Sequence, residues 1–248
     1  MNIAVLPRFT QGTFEGIWTG NRYTSPGNLT EICREFGVGL TLILTPYDFE
    51  RVVSVCDGLF VPGSPMNIDP TYYGGEPFDP PNVFDEYAQD RLVIDAFVKA
   101  DKPIFGLCGG HQTLNVFFGG SLKKVKELRG EREDTHAHTE ERIDRFGNPV
   151  NYKTHPITVE KDSFVYDVFG ATEVVVNTYH GWALDRVAPC FRVVAKSVDG
   201  IVEAIEHKEK KIFSTQWHPE LANRMGDPVE MRFFENFFRC CADSSKTR

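Results

Sequence analysis

Cys108 sits in the segment Gly106-Leu107-Cys108-Gly109-Gly110-His111-Gln112. An apolar run, Pro103-Ile104-Phe105, precedes it, and a helical pattern, Thr113-Leu114-Asn115-Val116-Phe117-Phe118, follows. A strand, a sharp glycine turn bearing a thiol and then a helix is one way an α/β fold displays a nucleophile. The glycines permit the tight turn and the close approach of a substrate. The helix start aims free backbone N–H groups and a positive dipole end at the sulfur, which favours the thiolate. Most free cysteines are small buried hydrophobes. What sets Cys108 apart is a second segment, Gln216-Trp217-His218-Pro219-Glu220, placed after the strand-like run Lys211–Thr215. A thiol near its ordinary pKa is mostly protonated at neutral pH, so an acyl-transfer nucleophile needs a base. The His218 imidazole can be that base, and the Glu220 carboxylate can fix its tautomer and orientation. Pro219 stiffens the turn and favours extended backbone at His218. An i, i+2 spacing on extended backbone puts both side chains on one side. A surface His-Pro-Glu turn without chemistry is the alternative for that segment alone.

Together with the loop Val61-Pro62-Gly63-Ser64, these segments resemble the class I glutamine amidotransferase-like superfamily. Two further stretches are similar to its γ-glutamyl-γ-aminobutyrate hydrolase family: Val176-Asn177-Thr178-Tyr179-His180-Gly181, and the strand pair from Arg192 to Ala204 that contains Ser197-Val198-Asp199-Gly200. The resemblance spans nearly the whole chain. It implies a flavodoxin-like fold and an oxyanion hole built from the Gly63 and Gly109 amides. It also implies substrate contacts from Gln112, Tyr179 and His180. For Gln112 a surface polar role on the helix is the competing reading, and for His180 a structural one. Two positions depart from the family. Arginine commonly follows the nucleophile, where this chain has Gly109. Glutamine commonly lies two residues after the histidine of the Val-Asn segment, where this chain has Trp182. Both positions bear on which amine leaves.

The elements that must position these groups are legible in the periodicity. Ile3–Leu6, Leu40–Thr45, Leu59–Val61 and Ile104–Leu107 read as strands, alternating with helices over Leu29–Phe36, Phe49–Val55 and Asp85–Ala100. This rhythm predicts an α/β fold with a mostly parallel central sheet and helices on both faces. Ligands in such sheets bind beyond the carboxyl ends of the strands, where Cys108 and Gly63 fall. In the second half, Thr154–Val159, Thr172–Asn177, Phe191–Ser197, Ile201–His207 and Ile212–Thr215 read as strands with short connections, added as antiparallel ribbons. Phe233, Phe234, Phe237, Phe238 and Cys241 form the core-docking stripe of a last helix. Pro62–Pro81 and Leu128–Val150 read as long loops. In the first, Tyr72, Tyr73 and Phe78 are candidates for a substrate rim or for ordinary packing.

With 248 residues and 41% hydrophobic content, the chain can bury a large core as one domain over 1–248. A formal net charge of −8 argues against a nucleic-acid surface. No stretch approaches a membrane span. The six cysteines lack a disulfide-framework pattern, and Met1–Arg8 is too short an apolar run for a signal peptide, so a reduced, cytoplasmic protein is the expectation. A metal site at His136-x-His138 with His111 or His155 lacks a supporting cysteine or carboxylate constellation, and neither metal nor cofactor is expected. The expected partner is a small γ-glutamyl compound, and a homo-oligomer is left open. The expected activity is hydrolysis of a γ-glutamyl amide through a thioester on Cys108, which the resemblance links to polyamine catabolism. A glutaminase subunit feeding ammonia to a separate synthetase, and a catalytically silent binding protein, are the alternatives.

Overall fold

The computed structural model describes residues 1–14, 18–24, 27–44, 49–132 and 138–246. The first part of the chain runs β1 (Asn2–Val5), β2 (Arg8–Phe14), β3 (Trp18–Thr24), α1 (Gly27–Glu35), β4 (Gly39–Leu42), α2 (Phe49–Val55) and β5 (Gly58–Val61). A 3-10 turn at Pro70–Tyr73 leads to α3 (Glu86–Lys99), β6 (Ile104–Leu107), α4 (Gly109–Phe117), β7 (Leu122–Lys124) and α5 (Val125–Arg129). Then come β8 (Thr139–Ile143), β9 (Pro149–Val159), α6 (Phe164–Phe169), β10 (Glu173–Asn177), β11 (Trp182–Leu184) and β12 (Phe191–Ser197). The chain ends with β13 (Val202–His207), β14 (Ile212–Thr215), α7 (Leu221–Met225) and α8 (Met231–Lys246).

The main sheet has the order β10-β9-β12-β13-β14-β6-β5-β1-β4. From β4 to β14 the pairs are parallel, and from β14 to β10 they are antiparallel. This is the expected parallel sheet with antiparallel strands added from the C-terminal half. The central parallel strands β1 and β5 are buried on both faces and read as continuous apolar runs: Ile3, Ala4 and Val5 are all fully buried, as are Leu59, Phe60 and Val61. Alternation along β5 splits the core. Leu59 and Val61 pack with Phe97 and Leu114 on one side, and Phe60 packs with Phe105 and the α8 phenylalanines on the other. The ring centroids of Phe60 and Phe237 are 4.8 Å apart. Cys241 is buried on the same face of α8 and Cys240 is half-buried. Helix α3 is started by Asp85, whose carboxylate accepts from the Ala88 N–H at 3.0 Å, and it carries Lys99 in its last turn.

What matters for the site is register. Thr215 pairs with Leu107, and Val61 pairs with Gly106. Three neighbouring parallel strands therefore end together. The residues that follow them, Cys108, Gln216 and Pro62, emerge side by side at the carboxyl edge of the sheet.

The structure corrects one element and adds another. Leu128–Val150 is not one long loop: it contains the end of α5 and the strand β8, which pairs antiparallel with β9 from Thr139↔Lys153 to Ile143↔Pro149. Near the N-terminus, β2 and β3 form a hairpin with Arg8 opposite Thr24. Among the described residues, no helix is long and apolar enough to cross a membrane.

Candidate functional site

Cys108 occupies the residue between β6 and α4 with φ 50° and ψ −104°. A non-glycine side chain held at positive φ costs about 1–3 kcal/mol and persists only where its surroundings over-determine it. Here they do. The Cys108 N–H donates to the Thr215 carbonyl of β14 at 2.8 Å, and the Cys108 carbonyl accepts from the His111 and Gln112 N–H groups at 3.0 and 3.3 Å. The strand bond fixes one side of the residue and the helix fixes the other, so the thiol stands at the amino end of α4. The side chain is nearly buried, at 7% exposure.

His218 follows β14 and comes back toward that thiol. Its Nδ1 lies 2.6 Å from Glu220 Oε1. Burial pulls the imidazole pKa down, but Cys108 and the Glu220 carboxylate beside it outweigh burial and hold it well above its ordinary value. A charged imidazolium is the state this arrangement favours. Glu220 is 5% exposed and leads directly into α7. The Tyr179 ring packs edge-on against the imidazole with centroids 6.1 Å apart. The Tyr179 hydroxyl donates to the Asn151 carbonyl at 3.3 Å and accepts from the Lys153 N–H at 3.2 Å. On this side of His218 lies an open cleft of about 390 Å³, lined by Asn151, Tyr152, Tyr179, Leu221, Arg224 and Met225.

Gly63 is brought against both His218 and Cys108. A Cβ placed on it would lie 3.0 Å from His218 Cε1 and 3.4 Å from Cys108 Cβ. Gly109 backs onto the same loop, where a Cβ would meet the Ser64 nitrogen at 2.8 Å. That contact leaves no room for a side chain at residue 109, which accounts physically for the glycine found where arginine is common in the resembled family. The two amides implied as oxyanion donors thus flank Cys108 from adjacent strand ends.

Gln112, one turn into α4, is 7% exposed, and its Nε2 donates to the Trp182 carbonyl at 2.7 Å and to Gln216 Oε1 at 3.2 Å. Gln216 Nε2 in turn lies 3.7 Å from Cys108 Sγ. A chain of amides therefore runs from Trp182 to the sulfur. The His180 side chain is 1% exposed, with Nδ1 3.1 Å from the Trp182 carbonyl and Nε2 3.7 Å from Glu203 Oε1. It is held between the Trp182 carbonyl and the Glu203 carboxylate. Of the three candidate rim aromatics, Tyr72 and Tyr73 pack on α3 and the core around Tyr87, while Phe78 meets Trp182 edge-on at 5.8 Å.

Two residues of this site carry no local sequence signal. Gln216 lies inside a motif whose chemistry is read from His218 and Glu220. Asn177 sits in the Val-Asn segment, yet its side chain reaches the backbone of His218, 41 residues on. Of the histidines weighed for a metal, His136 lies outside the described residues. His111 is buried against Ser214 Oγ at 2.9 Å, with its pKa lowered to about 3 chiefly by burial. His155 faces Glu203, and His138 faces Glu140.

The chain is similar to known proteins. The family model described as Peptidase C26 matches residues 3–220. The γ-glutamyl-γ-aminobutyrate hydrolase PuuD of Escherichia coli (strain K12) is 32% identical over 205 residues, covering 79% of this chain and 76% of that protein. The putative glutamine amidotransferase-like protein YvdE of Lactococcus lactis subsp. lactis (strain IL1403) is 32% identical over 192 residues, covering 74% of this chain and 75% of that one. Among solved structures, that of a putative GMP synthase protein from Thermoplasma acidophilum shares the fold. Its TM-score is 0.62 at 20% identity, and the match covers 100% of this chain and 96% of the other.

Proposed function

Because the chain belongs to the Peptidase C26 family, we propose that it is a cysteine-dependent hydrolase of γ-glutamyl amides, releasing glutamate and an amine. The observation that carries this reading is the convergence of the strained Cys108 elbow with the His218–Glu220 pair across one parallel strand pairing. Relatives at about the same similarity carry the names γ-glutamyl-γ-aminobutyrate hydrolase and glutamine amidotransferase-like protein, and both names fit γ-glutamyl chemistry.

The steps follow from the positions. The Cys108 thiol gives its proton to His218 as the sulfur attacks the γ-carbonyl carbon and forms a C–S bond. The Gly63 and Gly109 amides receive the negative charge that develops on the oxygen. His218, held by Glu220, passes a proton to the nitrogen as the C–N bond breaks and the amine leaves. His218 then takes a proton from water, whose oxygen attacks the thioester carbonyl. The C–S bond breaks, His218 returns the proton to the sulfur, glutamate departs and the thiol is restored. Tyr179 and the cleft beside His218 stand where the substrate enters, and Gln112 acts through Gln216 on the sulfur.

The test is free glutamate released by the isolated chain from γ-glutamyl-γ-aminobutyrate, other γ-glutamyl amides and glutamine. Turnover of γ-glutamyl amines that is lost in a folded Cys108→Ala variant is the expected result. Full activity of that variant would sink the reading. Activity on glutamine alone, appearing only with a synthetase present, would replace it with an ammonia-donating role.

A further inference from the structure

Arg8, the first residue of β2, is 3% exposed. Its guanidinium spends two donors on one acceptor: Nε and Nη2 donate to the Pro62 carbonyl oxygen at 3.1 and 2.9 Å. Its Nη1 donates to Asp90 Oδ2 at 2.9 Å and to the Pro7 carbonyl at 3.1 Å, and lies 3.6 Å from Glu86 Oε2. Glu86 and Asp90 stand one turn apart on α3. Glu86 also accepts from the Ser64 hydroxyl at 2.5 Å, so the same cluster also holds the loop two residues past Pro62.

A buried cation needs partners, and the α3 carboxylates supply the charge. They do not explain why the guanidinium fork closes on Pro62. Pro62 C=O and Gly63 N–H belong to one peptide unit. That unit is planar and trans, so its N–H points away from its C=O. Fixing the carbonyl from one side therefore fixes the direction of the N–H on the other. Two charge-assisted bonds to the oxygen also draw electron density through the amide and make the N–H a stronger donor. On its far side, Gly63 lies against His218 and Cys108.

We propose that Arg8 is a positioning residue for the oxyanion hole: it orients and polarises the Pro62–Gly63 peptide so that the Gly63 N–H meets the charge formed when Cys108 adds to a carbonyl. This rests on the hydrolase reading above. Arg8 touches no substrate and acts entirely through the peptide.

Two replacements separate this role from folding. Arg8→Lys keeps the charge for Asp90 but cannot fork onto one carbonyl. Arg8→Met combined with Asp90→Asn removes the closer ion pair as a unit, while Glu86 keeps the Ser64 hydroxyl and the Phe9 N–H as donors. Three readouts are compared in folded protein: turnover of a γ-glutamyl amide, inhibition by the γ-aldehyde analogue of glutamate, and alkylation of Cys108 by iodoacetamide. The first two build an oxyanion on the carbonyl carbon. Alkylation displaces iodide from a methylene and builds none. The expected result is a fall in kcat of roughly 10–100-fold, with the aldehyde weakened by a similar factor and alkylation within about twofold of wild type. Unchanged turnover in either folded variant would overturn the proposal. So would turnover and alkylation falling together, which marks general disruption, or failure of both variants to fold, which marks a structural role. A wild-type chain that is alkylated at Cys108 but hydrolyses no γ-glutamyl amide would overturn the hydrolase reading itself, and this proposal with it.

Discussion

The side-chain amide of Asn177 grips the backbone of His218 at both ends. Asn177 Nδ2 donates to the His218 carbonyl at 2.8 Å, and the His218 N–H donates to Asn177 Oδ1 at 2.9 Å. The imidazole is thus located by a strand from the antiparallel half of the sheet, while Cys108 and Glu220 together raise its pKa. Asn177→Ala should lower kcat by roughly 10–100-fold, because a displacement of about 1 Å in a reacting group costs about that much. Asn177→Asp keeps the acceptor for the N–H but sets an anion against the carbonyl, and should be at least as damaging. Steady-state kinetics with a parallel thermal melt checks this. Wild-type kcat in a folded Asn177→Ala chain would remove Asn177 from the site.

Glu220→Gln should move the alkaline limb of the pH–rate profile toward acid. Burial lowers the His218 pKa, while Cys108 and Glu220 raise it further than burial lowers it. Removing one anion weakens the raising side, so the imidazolium loses its proton at lower pH. We expect kcat/KM at neutral pH to fall roughly 10–100-fold, with the limb displaced in that direction. A profile with an unmoved alkaline limb would show that Glu220 does not set the charge of His218.

Trp182→Gln separates two functions of one residue. The backbone carbonyl that holds Gln112 is retained, while the indole that meets Phe78 at 5.8 Å is lost. The expected outcome is a changed ranking of leaving amines, with kcat/KM ratios among γ-glutamyl amides shifting by roughly tenfold for bulky amines and little for glutamine. A removed apolar contact in a pocket is worth about that much. A uniform change across the panel would place the indole outside the amine subsite.

Glu230 should make stability depend on pH. It is 6% exposed and accepts from Trp217 Nε1 at 3.2 Å. Burial, aided by Asp227, pushes its carboxyl up to about 8 from an ordinary value of 4.5. Below about 4.5 the folded and unfolded chains are both protonated and the full contribution is present. Above that the unfolded chain ionises freely and the folded one does not, so stability is lost as pH rises toward and through about 8. Glu230→Gln, which keeps an acceptor for Trp217, should melt at a temperature that falls less between about pH 5 and about pH 9. The difference should amount to about 2–4 °C for each kcal/mol of linkage. Parallel curves for the two proteins would refute a neutral Glu230.

The nucleophile elbow and the His-Pro-Glu turn are legible in the sequence because their chemistry lies in adjacent residues. The parallel half of the sheet is legible because its strands are unbroken apolar runs. The hairpin of β8 and β9 is not, since Thr-Glu-Glu-Arg-Ile has no apolar face to set a period and its residues are exposed or half-buried. The partners of Arg8, Asn177 and Gln216 are also silent in sequence. Each acts on a group 41 to 108 positions away, and only the strand order brings them together.

The pairing of β14 with β6 has a consequence in time. Cys108 is synthesised 110 positions before His218, and its N–H is held by Thr215, on the strand that leads to the base. Until that strand docks, the thiol lacks both its strained backbone and its proton acceptor. Under the proposed function, a nascent chain would therefore carry Cys108 without its base until the β14–β6 ladder closes, and such non-local contacts form slowly.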